Sequence, residues 1–316
     1  SGGNGGRNES LSGYGKIDLA ALQSEVSAKL ANKTAINDGN IKEVIWTLSD
    51  YADSDDYTLL SAGVEGNEPQ PVALNKFTKP LTARPLFAKP FSATPLSSSL
   101  QNTDACDRSG SVSGDVTTTY YTLVYNNCVD YDGFYRHGTL NLVFDKAFSS
   151  VEELIDALNN DKVLDRVGGF KFSSNSSSSD RDGYSYGRAK LYYHLERKSD
   201  RDIKGDYNEI SYCSGTECYY SYTAISNATI TLKNDGTKDS SGKYGANATG
   251  NNIVADITAT GLTGTGSSCY SGGAATITGS SGVIEITYGS TITVKLNGIN
   301  KFSGNCSAYR SWVNSF

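Results

Sequence analysis

Methionine is absent from this chain of 316 residues, and histidine and tryptophan occur only twice each. A chain that begins at Ser1 without any methionine is what remains when a leader carrying the initiator is cut away, so we expect export through a cleaved signal peptide. Two histidines, His137 and His194, leave little material for imidazole chemistry. Neither a Gly-x-Ser-x-Gly elbow, nor a phosphate-cradling glycine loop, nor a His-Glu-x-x-His helix occurs. No catalytic residue is therefore expected, and the chain is read as something other than an enzyme. An excess of basic charge is missing too: 28 Lys and Arg stand against 34 Asp and Glu, for a net charge of -6. With no basic stripe to neutralise phosphates, nucleic acid is a poor partner. Long apolar runs are also lacking, since a bilayer-spanning helix needs about 20 such residues. Membrane attachment is expected only through a lipid anchor that this chain does not contain.

What is present points to an oxidising, extracellular or cell-surface setting. Six cysteines sit in a chain rich in Gly, Ser, Thr, Asn and Tyr, and paired thiols persist outside the reducing cytosol. Sequential pairing is expected, Cys106 with Cys128, Cys213 with Cys218 and Cys269 with Cys306, because each pair brackets a local hairpin or meander. Zinc is disfavoured, since no Cys-x-x-Cys occurs.

Four regions follow from the pattern. Residues 1–15 open on Ser1-Gly2-Gly3-Asn4-Gly5-Gly6 and read as a flexible tether. Residues 16–60 read as helical, with Leu19, Leu22, Val26 and Leu30 on one near-helical stripe and Ile41, Val44, Ile45 and Leu48 on another behind Asp38-Gly39-Asn40. Residues 61–104 hold all six prolines, the last four spaced by fives in Lys79-Pro80-Leu81, Arg84-Pro85-Leu86, Lys89-Pro90-Phe91 and Thr94-Pro95-Leu96. Proline fixes φ, removes a donor and holds its predecessor extended, so this region is expected as an extended arm. A plain spacer has no use for Leu81, Leu86, Phe91 and Leu96 at regular intervals, and a row of apolar side chains is usually covered. We therefore expect these four residues to dock along a groove of the same chain or of a neighbouring subunit.

Residues 105–316 read as a disulfide-bearing β region, with two modules at about 105–200 and 201–316 as one division. Period-two alternation places strands at 120–125 and 139–144, at 189–196, at 209–213 and 218–224, at 228–233, at 253–259, and in a terminal meander at 274–278, 283–288 and 291–296. Ser150-Val151-Glu152-Glu153 is a capping box before one short helix. The fold class is thus mainly β, antiparallel, as a sandwich or a barrel-like region.

Two loops could bind a ligand. The polar, aromatic stretch 130–138 offers Tyr131, Phe134 and Tyr135 to a carbohydrate or protein. Short-spaced carboxylates at Asp130, Asp132, Asp180 and Asp182 could supply oxygens to calcium, although neither site has the full calcium-loop pattern. No other cofactor is expected. Cys106-Asp107-Arg108-Ser109-Gly110 and Cys269-Tyr270-Ser271-Gly272 resemble the small Cys-x-x-Gly-containing β repeats of some exported bacterial lipoproteins, and the Gly-rich start resembles the tether of such proteins. The resemblance implies a surface lipoprotein and carries no functional residue with it. Taken together, these features lead us to expect an exported structural protein, a self-associating subunit of a filament or surface layer. The alternative is a surface binding module with Tyr-rich loops.

Overall fold

The computed structural model describes residues 19–53, 103–105, 108–116, 120–129, 135–144, 149–150, 163–175, 184–199, 202–215, 221–247, 250–264 and 269–316. Two helices come first, α1 (Leu19–Lys29) and α2 (Ile41–Asp53). The strands are β1 (Thr103–Ala105), β2 (Ser109–Val116), β3 (Tyr120–Val129), β4 (Tyr135–Phe144), β5 (Val163–Asn175), β6 (Tyr184–Ser199) and β7 (Asp202–Gly215). They continue with β8 (Tyr222–Leu232), β9 (Lys238–Asn247), β10 (Asn252–Thr263), β11 (Gly272–Thr278), β12 (Val283–Thr287), β13 (Ile292–Leu296) and β14 (Ile299–Gly304), before a last helix, α3 (Cys306–Val313). Each strand pairs antiparallel with its neighbours in the chain, in the order β1 to β14. The seven from β8 to β14 form an antiparallel sheet that carries most of the described core. Among the described residues this order is open and does not close into a ring.

Several strands extend beyond their expected limits. β3 and β4 pair as Tyr121 with Leu142 and Leu123 with Leu140. Residues 135–138 were expected in a loop but already belong to β4, with Tyr135 opposite Val129 and Arg136 opposite Cys128. The ladder resumes there after an irregularity at Asn127, whose φ of 47° only a few residue types tolerate. Tyr135 and His137 are therefore strand residues. Ser173, Ser174 and Asn175 likewise end β5, opposite Tyr186, Ser185 and Tyr184.

Both faces of the sheet are buried around β8 to β10. One cross-strand row is Ala224, Gly245 and Val254, and the next is Ile225, Tyr244 and Ala255. Successive strand residues point to opposite faces, so these two rows lie on opposite sides. The first row is covered by α1. Its Leu22 and Val26, with Leu30 just past its end, recur every four residues, the spacing of one helical face, and join Ile210, Tyr222, Ala224 and Val254 in one cluster. Gly245 has no side chain because none would fit: a Cβ there would collide with Leu30 Cδ2 and lie 3.1 Å from Val254 Cγ2. Burying side chains of this size stabilises by about 1.5–3 kcal/mol each.

The segment between α1 and α2 is tied to the sheet by its backbone. Thr34 N–H donates to Val254 O (2.8 Å), Ile36 N–H to Ser281 O (2.8 Å), and Ser280 N–H to Thr34 O (2.9 Å). The Thr34 hydroxyl accepts from Val254 N–H at 2.9 Å, and Lys33 Nζ pairs with Asp256 at 2.8 Å. The β11–β12 turn must contain glycine where this strap crosses. Gly282 has a φ of +83°, and a Cβ there would strike Ile36 O. Beyond the strap, α2 buries Ile41, Val44, Ile45 and Leu48 and contacts β9, β10 and α3.

Candidate interaction surface

The residues singled out as sites in the sequence fall mostly elsewhere. Leu81, Leu86, Phe91 and Leu96 of the arm, Tyr131 and Phe134, and Asp130, Asp132, Asp180 and Asp182 lie outside the described residues, as do Cys106, Cys218 and the capping box helix. Cys128 and Cys213 occupy positions on β3 and β7. Cys269 and Cys306 are joined by a disulfide, with Cα atoms 5.7 Å apart, and this is the third of the pairs expected.

That disulfide borders a surface built from the two ends of the described chain. β13 and β14 are joined by Asn297-Gly298, with φ values of 51° and 79°, the two positive φ values of a type I′ hairpin turn. The register then shifts: Val294 pairs with Phe302 but Lys295 with Asn300, so Lys301 is the extra, bulged residue. Its ammonium reaches Asp38, just ahead of α2, at 2.5 Å. A bulge and a lysine on a six-residue edge strand are two of the devices that discourage edge-to-edge growth of sheets.

After β14, Asn305 caps α3 by accepting from Ala308 N–H at 2.9 Å. The helix buries Tyr309 and Val313 and turns Trp312 toward Phe302, with ring centroids 5.2 Å apart. Phe302 also meets Tyr309 at 5.9 Å. Lys42 of α2 lies 5.4 Å over the Trp312 ring, within cation–π range, and donates to Ser315 Oγ at 2.7 Å. Phe316 meets Trp46 of α2 edge-on at 5.6 Å. Both tryptophans of the chain, 266 positions apart in sequence, thus gather at one corner. The largest exposed apolar side chains among the described residues are Ile299 (63%), at the start of β14, and Phe316 (54%), at this corner. On β14, on α3 and just past it, Asn300, Ser303, Ser307, Ser311 and Ser315 are all exposed.

The corner holds apolar area, stacked aromatic rings and the cation Lys42, with Lys301 of β14 paired to Asp38. Asn297-Gly298 between Leu296 and Ile299 is the signal in the sequence from which β14 is legible. Nothing in the sequence linked Trp46 to Trp312.

Two charged features lie elsewhere. In the β8–β9 turn, the Thr237 hydroxyl and amide donate to Asp235 at 2.7 and 2.9 Å and hold its carboxyl below the usual range. Burial pushes the Asp239 carboxyl up, but the Lys233 hydrogen bond and the Gly261 N–H outweigh it and leave it lowered. Lys233 is raised in turn, chiefly by its hydrogen bond with Asp239. The second feature is the buried Lys238, whose Nζ donates to the Tyr270 hydroxyl at 2.9 Å beside Cys269. Among the described residues, no helix is long and apolar enough to cross a membrane. No family model, no curated protein and no solved structure matches this chain.

Proposed function

We propose that this is an exported, self-associating structural protein, and that the aromatic corner of one copy seats the proline-punctuated arm of another. The observation that carries this reading is the gathering of Trp46, Trp312 and Phe302 with the exposed Phe316, on the side of the fold where β14 also exposes Ile299 at its start. Proline-rich segments dock on aromatic-lined surfaces because their extended shape costs little entropy to hold. An arm bearing Leu81, Leu86, Phe91 and Leu96 needs apolar seats, and the corner offers them. The bulged, lysine-bearing β14 supports arm docking over edge-to-edge sheet growth as the mode of assembly. As part of the same proposal, the long meander curls into a sandwich or barrel-like region, since strongly twisted open sheets seldom exceed about 10 strands without curling.

The test is mass photometry with negative-stain microscopy of the wild-type protein and of two variants, Phe316→Asp with Ile299→Asp, and Leu86→Asp with Phe91→Asp. Assemblies that both variants reduce to single copies support the reading. Single copies of the wild-type protein at all concentrations overturn it. That outcome favours the second reading, a surface module whose corner receives a different protein. The blunted β14 edge suits that reading equally, because it suppresses self-pairing and leaves the corner open.

A further inference from the structure

We infer that the Cys269–Cys306 disulfide is a reducible latch on the aromatic corner. The inference concerns the regulation of the surface proposed above as a docking seat and rests on that reading for its use, though not for its test. Cys306 is the first residue of α3, and a helix of eight residues is too short to persist by itself. Asn305 alone separates Cys306 from the end of β14, and the disulfide adds a second tether at the helix start, to Cys269 ahead of β11. The two halves of the latch are held unequally. Tyr270, next to Cys269, is buried, bonded to Lys238 Nζ and packed edge-on against Tyr288 at 5.4 Å. Cys269 is thus the fixed half. Cys306 is the moving half, and what moves with it is Trp312, Ser315 and Phe316, the side chains that α3 brings to Lys42 and Trp46.

The chemistry favours opening at one particular bond. Both cysteines are half-buried, open to a small thiol. Cys306 Sγ sits at the N-terminus of α3 and accepts from Cys269 N–H at 3.1 Å, two interactions that stabilise it as a thiolate leaving group. A thiolate of a small dithiol attacks Cys269 Sγ, and the S–S bond breaks with its electron pair on Cys306. The second thiol of the reagent then displaces Cys269 from the mixed disulfide. The protein gains two electrons and two protons, and the reagent leaves as a cyclic disulfide.

Because both tryptophans lie at this corner, emission excited beyond the absorption of the 21 tyrosines reports on it alone. The experiment compares the oxidised full chain with the Cys269→Ser, Cys306→Ser variant, adding hydrogen exchange by mass spectrometry. The expected result is red-shifted tryptophan emission in the variant, with loss of protection confined to residues 306–316 while β8 and β12–β13 keep theirs. In the wild-type chain under limiting dithiol, Cys306 is expected to be alkylated faster than Cys269 at mildly acidic pH. Unchanged emission in the variant would overturn the latch, and so would loss of protection spreading through β8–β13, since the disulfide would then be a staple of the whole sheet. The readout comes from single copies, so failure of self-association leaves it intact, and an assembly that forms equally well in the variant removes the latch alone.

Discussion

Gly245 shows how one residue can set the approach of two elements. Any side chain there meets Leu30 and Val254, both at most 2% exposed and therefore without room to yield. Gly245→Ala is expected to destabilise by about 1–3 kcal/mol, the usual range for overpacking, with a lower denaturation midpoint in urea. Leu30→Ala removes the opposing side chain and is expected to cost about 2–5 kcal/mol on its own. Combining the two should cost less than their sum, because the alanine at 245 then fills part of the cavity left at 30. Additive losses would show that the two positions do not share space. A different residue, Asp235, gives a pH dependence. Its carboxyl titrates below the value of about 3.9 that it has in an unfolded chain. The stabilisation it supplies to the β8–β9 turn is therefore fully present above that value and lost as pH falls through the lower, folded one. The protection factor of Thr237 N–H is expected to fall in that acidic window in the wild-type chain, and Asp235→Asn should remove this pH dependence of protection.

At the scale of elements, α3 and β14 illustrate what a periodic pattern reveals and what it hides. The strands β11, β12 and β13 alternate apolar and polar residues over four or five positions, and each was legible. Lys238-Asp239-Ser240-Ser241-Gly242-Lys243 opens β9 with no alternation, because its pairing is specified by neighbours on both sides and not by its own side chains. β14 is short, bulged and half exposed, so its pattern is broken at Lys301. α3 has only Tyr309 and Val313 as buried anchors, spaced by four, too few to stand out as an amphipathic stripe. Its start is nonetheless marked by Asn305, and Asn305→Ala is expected to cost about 1 kcal/mol through the lost cap. The effect should appear in exchange at Ala308 N–H and in tryptophan emission before it appears in global stability. The turn before β14 gives a sharper test. Gly298→Val places a β-branched residue at a φ of 79°, a conformation that costs on the order of 1–3 kcal/mol outside glycine. Loss of the β13–β14 pairing, with β12 retained, would be seen as exchange at Lys295 and Ile299.

Across the whole molecule, the mainly β, antiparallel character was readable because each strand pairs with its chain neighbours, so local turn signals and alternation carry the topology. The docking of residues 33–36 was not readable, because its backbone bonds reach β10 and the β11–β12 turn, more than 200 positions away, and leave no side-chain period. The aromatic corner was hidden for the same reason, since α2 reaches α3 only after this strap has set its place. The strap thus couples the first described segment to the last. Its bonds lie where the first cross-strand row of β8–β10 is already covered by α1, and Val254 belongs to both. The strap should therefore open only when the sheet does. Native-state hydrogen exchange is expected to place Thr34 and Ile36 N–H in the same protection class as the central amides of β10 and β12, with denaturant dependence typical of global unfolding. Thr34→Val keeps the size but removes the hydroxyl that Val254 N–H donates to, leaving that amide without its partner at a cost of about 1–3 kcal/mol. If Thr34 and Ile36 instead exchange with the low, denaturant-independent protection of a surface loop, residues 19–53 form a separate lid, and the corner shared by Trp46 and Trp312 would open with it whether or not the disulfide is intact.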